Sequence, residues 1–235
     1  MRLVNRFARV AARLYQVLGR SASALAVSLL VGAVAHAKTP IPGYPDRVEA
    51  LDPREVALLP QYCLYTLHFR DVVPGGNNPA EIERWHALLG PSYHHLHHYC
   101  YGLMKTNRAR ILARDQRTRQ FYLSDAIREF DYVLRNATAD FVLLPEIRTR
   151  KGENLIQLGR GPLGVAELQS VIAEHPSYFP AYGALSDYYV ESGDLLKARA
   201  VLQEGLKHAP EAKALLRRLA ELDASGRQQP RPATR

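Results

Sequence analysis

The sequence predicts an all-α fold made of paired antiparallel helices. Similar residues recur at a fixed spacing of 34 positions in the carboxyl-terminal half, and the segments between them carry helix start and stop signals. A repeat of this length holds two helices, which bury their apolar stripes only by stacking on neighbouring pairs. We therefore expect a helix-turn-helix solenoid preceded by an amino-terminal helical extension.

Residues 145–212 contain two copies of the repeat. The matching positions are Gly152, Leu155, Gly159, Gly164, Leu168, Ile172 and Pro176 in the first copy, and Ser186, Tyr189, Gly193, Ala198, Leu202, Leu206 and Pro210 in the second. The chain resembles tetratricopeptide repeat (TPR) proteins, which share this period. The resemblance implies that a protein or peptide partner binds the inner surface formed by the first helix of each repeat. By repeat position, that surface would present Thr149, Arg150, Glu153, Gln157, Asp187, Glu191 and Arg217.

Small residues occupy equivalent positions in both copies. Gly152 and Ser186 fall on the first helix of each pair, and Gly164 and Ala198 fall on the second. The resemblance implies that these are points where the two backbones approach each other closely.

The last part of the chain predicts one more helix and a tail. Asp194 is an expected N-cap for the second helix of the last repeat. A single capping helix is expected within residues 213–223, and residues 224–235 are rich in polar residues and predict disorder. The leucines expected to face inward on the capping helix are Leu215, Leu216, Leu219 and Leu222.

The amino-terminal helical region is assigned to residues 38–95. Asp52 is expected to cap a helix over 53–67 that is kinked at Pro60, and Asn78 to cap a second helix that ends at Gly90. The residues expected on the apolar face of that second helix are Trp85 and Leu88.

A degenerate first repeat is expected over residues 96–144. Its helices are predicted over 92–115 and 123–134, the second with Ala126 and Phe130 at the spacing of a second TPR helix. The resemblance then requires a connection about twelve residues longer than in TPR proteins.

Residues 1–37 have the composition of a signal peptide. Five arginines and no acidic residue precede an apolar run over 24–34 and a small-residue triplet ending at Ala37. The run is short for a membrane span, which needs about 20 apolar residues. We expect cleavage and export to the periplasm or the outside, leaving no transmembrane span. An uncleaved anchor helix and a mitochondrial presequence are the alternatives.

The basic charge of the chain lies mainly outside its expected folded part. The sequence has 31 Lys and Arg against 23 Asp and Glu. Five of the basic residues lie in the leader and three in the tail, which leaves equal numbers of each sign over residues 38–223. The overall charge therefore gives no reason to expect a nucleic-acid partner.

The two cysteines of the sequence, Cys63 and Cys100, lie in the amino-terminal half. In an exported protein, a pair of cysteines most simply forms a disulfide. Two buried free thiols are the alternative.

Four histidines are concentrated over residues 94–98, with His86 and His68 nearby in sequence. On a helix, His94 and His98 would share a face and could meet one metal ion. Two ligands are fewer than a zinc site requires. The alternative is a polar aromatic layer between helices, so we expect no cofactor, with a metal or haem as the competing hypothesis.

The sequence contains no catalytic triad, zinc-protease or P-loop motif, so we do not expect an enzyme. The function expected from sequence is a periplasmic TPR adaptor or assembly factor that binds another protein of an envelope complex. The alternative is a metal- or haem-binding protein that uses the cluster from His94 to His98.

Overall fold

The computed structural model describes the backbone of residues 51–228 and the side chains of residues 51–224. The predicted signal peptide, 1–37, and the end of the predicted tail, 229–235, lie outside the described residues. Residues 51–228 contain helices and turns but no strand, as the sequence predicts. All of them belong to one compact unit.

Ten α-helices and two short 3-10 helices make up the described part of the chain. The 3-10 helices are Gln61–Tyr65 and Pro91–His95. The α-helices are α1 Pro53–Val56, α2 Phe69–Val72, α3 Pro79–Leu89, α4 Leu96–Ile111, α5 Gln116–Asn136, α6 Leu144–Gln157, α7 Gly161–Glu174, α8 Phe179–Glu191, α9 Leu195–His208 and α10 Lys213–Gln228.

The first predicted helix, over 53–67, is wrong in extent. Asp52 caps α1 as expected, accepting a hydrogen bond from the Arg54 amide at 2.8 Å, but α1 ends at Val56. Pro60 has no amide hydrogen to continue a helix, and the chain resumes as a 3-10 helix. The segment is therefore a series of short turns rather than a kinked helix.

Helix α3 begins and ends where the sequence predicts. The Asn78 side chain accepts from the amides of Ala80 and Glu81, and Gly90 ends the helix with a positive φ of 67°. The expected apolar face is partly wrong, because Leu88 is 64% exposed and the neighbouring Leu89 is buried instead.

The predicted helix over 92–115 begins later than expected. Its first turn is the 3-10 helix Pro91–His95, and only then does α4 begin at Leu96. Gly90 and Pro91 explain the difference, since the chain leaves α3 in a left-handed conformation and re-enters a helix through proline.

The extra residues of the first repeat lie in its helices, and the prediction of a long connection is wrong. A Cβ on Gly102 would overlap the Phe130 ring, just as a Cβ on Gly152 would contact Leu168. The first pair is 28 residues apart in sequence and the second pair 16. The connection between α4 and α5 spans only 112–115, so most of the added length extends the two helices.

The two predicted repeats have the same backbone geometry. Helices α7 and α9 begin 34 residues apart and end 34 residues apart. Gly159 and Gly193, which precede them, have positive φ values of 82° and 80°. The backbone of L side chains rarely adopts this region, so the turn requires glycine in both copies.

Close backbone contacts occur at the small residues that the repeat places between helices. A Cβ on Gly164 would lie 2.5 Å from the Gly152 carbonyl oxygen. At the equivalent positions of the next repeat, the Ser186 hydroxyl donates to the Ala198 carbonyl oxygen at 3.2 Å. The expectation of close approach is therefore confirmed in both repeats.

The apolar core follows the stacking of the helix pairs. One cluster joins the amino-terminal turns to α4 and α5, and two smaller clusters join α7 to α8 and α8 to α9 and α10. Helix α10 buries Leu215, but Leu216 is 46% exposed, which corrects one of the four inward leucines.

Candidate partner-binding groove

A groove of about 670 Å³ lies between the α4–α5 hairpin end and the repeats. Each successive helix pair contributes the end of at least one helix to it. Its lining residues are Arg110, Gln116, Arg119, Arg150, Glu153, Ile156, Gln157, Ala184, Asp187, Tyr188 and Glu191. Most of these side chains are polar or charged, so the groove suits a polar ligand segment.

Five of the seven residues expected on the inner surface line this groove together. They are Arg150, Glu153, Gln157, Asp187 and Glu191. Thr149 does not present its side chain there, because it is 3% exposed and its hydroxyl donates to the Pro145 carbonyl at 2.8 Å. Arg217 is exposed on α10 but is not part of the groove lining.

The sequence analysis missed the wall supplied by the first hairpin. Arg110 extends from α4, and Gln116 and Arg119 extend from α5, ahead of the predicted start of that helix. Asp115 carries the signal that could have found this start. Its carboxylate accepts from the Thr118 amide at 2.7 Å and from the Thr118 hydroxyl at 2.8 Å, as an N-cap does.

The groove has a basic side and an acidic side. Arg110 and Arg119 come from the first hairpin, whereas Asp187 and Glu191 come from α8. Among residues 51–224, neither Arg110 nor Glu191 forms a salt bridge. These two charges are therefore available to a ligand.

Two other charges of the groove are held by neighbours. Asp187 accepts two hydrogen bonds from Arg218, at 2.9 and 2.8 Å, and Arg150 lies 3.1 Å from Glu153. Burial acts to lower the pKa of Arg150, but the adjacent negative charge of Glu153 outweighs it and raises the pKa. Arg150 is therefore a permanent cation in the middle of the groove.

The architecture is similar to that of a solved repeat protein. The crystal structure of a thermophilic TPR protein from Thermus thermophilus matches with a TM-score of 0.51 and 20% identity, over 92% of this chain and 96% of that chain. The chain has a TPR fold. No family model matches the sequence, and the search of curated proteins found no match. TPR folds are typically non-enzymatic scaffolds, and this fold supports a role in protein–protein interaction.

Beyond the TPR groove, tyrosines surround the base of α6. The Tyr99 hydroxyl donates to the Glu146 carboxylate at 2.7 Å. Burial, followed by the negative charge of Glu146, raises the pKa of Tyr62 and Tyr99 well above the usual range. These hydroxyls stay protonated and act as neutral polar groups, and they show no sign of acid–base chemistry.

The histidines do not converge on one point. His94 lies in the 3-10 helix and its ring contacts His86, whereas His98 lies in α4 with its Nδ1 2.6 Å from a Glu129 carboxylate oxygen. The premise that His94 and His98 share a helix face is therefore wrong. In the part of the chain that the structure describes, no three His, Cys, Asp or Glu residues are grouped closely enough to hold a metal ion.

His98 belongs to a buried ionic network between α4 and α5. Lys105 is 2% exposed, with its ammonium 2.8 Å from Asp125 and 2.5 Å from Glu129. The His98 ring stacks on Tyr132, with 3.7 Å between ring centroids. The network ties the two helices of the first hairpin together, which is the polar layer that the sequence left as the alternative to a metal site.

Cys63 and Cys100 form a disulfide with their Cα atoms 5.6 Å apart, as expected. The bond is fully buried and joins the first 3-10 helix to α4. Together with the Arg108–Glu55 ion pair at 2.6 Å, it attaches the amino-terminal turns to the first hairpin. Within residues 51–228, no helix has the length and apolar character needed to cross a membrane.

Proposed function

We propose that the protein is an exported, non-enzymatic TPR adaptor or assembly factor of an envelope complex. It holds a polypeptide segment of its partner in the groove between the first hairpin and helices α6 and α8. The observation that carries this proposal is the convergence of side chains from successive helix pairs on one groove of about 670 Å³.

The charges of the groove support a dipolar partner segment. Arg110 and Arg119 offer cations on one side, and Glu191 offers a carboxylate on the other. Complementary charges across an interface fix the direction and register of a bound segment more than they add affinity. A segment with an acidic residue next to the hairpin and a basic residue next to α8 matches this arrangement.

The disulfide supports export. Disulfides persist in oxidising compartments and are rare in the cytosol. The buried Cys63–Cys100 bond is part of the core that positions α4, and therefore part of the framework of the groove. It agrees with the leader composition of residues 1–37, which lie outside the described part of the chain.

Charge reversal within the groove tests the proposal. The full chain and its variants would be expressed in the native host, captured after brief cross-linking, and compared for the proteins they retain. Glu191→Lys, together with Arg119→Glu, should release the partner, because each reversal places a like charge against it.

Matched reversals outside the groove provide the control. Glu211 and Arg135 are exposed and are not part of the groove lining, so Glu211→Lys with Arg135→Glu makes the same changes of charge elsewhere. This control should retain the partner. Equal retention by both double variants would contradict a partner in the groove.

A further inference from the structure

The end of the α4–α5 hairpin carries a second surface that the groove does not use. Ile111 is 65% exposed, and Leu112 and Phe121 are each 37% exposed. Arg114 and Arg117 lie between them in sequence and are exposed as well. These five residues, Ile111, Leu112, Arg114, Arg117 and Phe121, form what we call the hairpin tip.

The tip results from the added length of this helix pair. The Thr106 hydroxyl, one turn beyond Gly102, accepts a hydrogen bond from the Asn154 side-chain amide of α6 at 2.7 Å, so α4 is still packed on the repeats at that level. Beyond it, Ala109 and Tyr122 belong to a small apolar cluster that ends at Leu158. The residues that follow in α4 and the connection lie outside this cluster and face solvent.

The tip is basic although the folded region as a whole is neutral. Over residues 110–121 the sequence has four arginines and one acid. That acid, Asp115, is engaged by the Thr118 amide and hydroxyl as the cap of α5. Among the residues that the structure describes, Arg114 and Arg117 form no salt bridge, so their charge is not neutralised locally.

We propose that the hairpin tip docks on an anionic phospholipid membrane surface. The combination of arginines outside any salt bridge with exposed Ile, Leu and Phe side chains matches the two components of a bilayer interface. The arginines face the negative headgroups, and the apolar side chains enter the boundary with the acyl chains. Phe121 and Arg117 are four residues apart on α5, so they lie on the same helix face and can meet the surface together.

A nucleic acid would satisfy only half of this surface. Phosphates would pair with the arginines, but nothing in a phosphate backbone covers exposed Ile111 and Leu112. The inference goes beyond the proposed function, since Arg114 and Arg117 do not line the groove. A loss of membrane binding and a loss of partner binding are therefore separable.

Vesicle binding tests the proposal. The full chain would be titrated with vesicles of phosphatidylglycerol and phosphatidylcholine, and with phosphatidylcholine alone. Arg114→Gln with Arg117→Gln should weaken binding to the anionic vesicles by about thirtyfold, since each arginine near such a surface contributes roughly a fivefold factor. Ile111→Ser with Phe121→Ser should weaken it further at high salt, where the apolar contacts carry the binding.

Residues 1–37 are themselves basic and apolar, so the readout also has to be local. Amide hydrogen exchange over residues 110–121 should slow when anionic vesicles are added. Arg135→Gln with Arg160→Gln removes the same charge from exposed sites away from the tip and should leave the affinity within about twofold of wild type.

Three results would overturn the inference. They are no change of exchange over residues 110–121 on anionic vesicles, an equal loss of affinity in the tip and control variants, and protection of the tip by duplex DNA but not by vesicles.

Discussion

Gly164→Ala tests the contact that sets the geometry of the repeat. The added methyl group would lie 2.5 Å from the Gly152 carbonyl oxygen and 2.6 Å from Ile156 Cγ1. A backbone oxygen can move only if α6 and α7 separate, so we place the cost of overpacking near the upper end of its range, about 3 kcal/mol. Replacing glycine inside a helix returns about 1 kcal/mol. The net expected loss is about 2 kcal/mol in the free energy of unfolding.

Thermal unfolding followed by circular dichroism at 222 nm measures this loss. For a domain of this size, the expected fall in melting temperature is about 4–8 °C. Gly183→Ala is the matched control, because its methyl group would meet Arg218 only at an ordinary contact distance of 3.4 Å. That variant keeps the gain in helix propensity and should melt about 2–4 °C above wild type. A Gly164→Ala protein as stable as Gly183→Ala would refute the close contact between α6 and α7.

The remaining predictions concern the first hairpin and its surroundings. Burial, assisted by the charges of His98 and His68, lowers the pKa of His97 from 6.5 to about 4. The unfolded chain therefore binds the extra proton first, and stability should fall by about 3 kcal/mol as the pH drops from about 6.5 to 4; His97→Gln should remove this part of a pH-dependent urea titration. Replacing Cys63 and Cys100 by alanine should cost about 4 kcal/mol, the entropy of closing the loop between them, and intact-mass analysis without reductant should find no alkylated thiol in wild type. Zinc, copper or haem should leave the melting temperature unchanged, because the rings of His94 and His98 have different partners; a stabilisation that His94→Ala abolishes would restore the metal hypothesis.

The repeats could be predicted because their constraints act locally in sequence. Gly159 and Gly193 must adopt a positive φ, and Gly152 and Gly164 must lack side chains, so the requirement appears directly as a residue type at a fixed position. Five groove residues followed from the same register.

The first hairpin could not be predicted in the same way. Its α5 start depends on Asp115 acting as a cap, and the helix then runs through a polar, arginine-rich stretch with little apolar periodicity. Without that helix, the contribution of Arg110 and Arg119 to the groove was hidden. The burial of Thr149 was hidden too, because its hydroxyl is satisfied by its own helix, at the Pro145 carbonyl.

Site-specific photo-cross-linking tests the central claim, that the TPR groove holds a partner polypeptide. A benzophenone amino acid would replace Glu191 in the groove or, as the control, Glu211 outside it, and the full chain would be irradiated in its native host. The account predicts one discrete protein adduct from position 191, absent from position 211, with the linked partner peptide carrying charges of both signs. The same adducts from both positions, or adducts from position 211 alone, would contradict it.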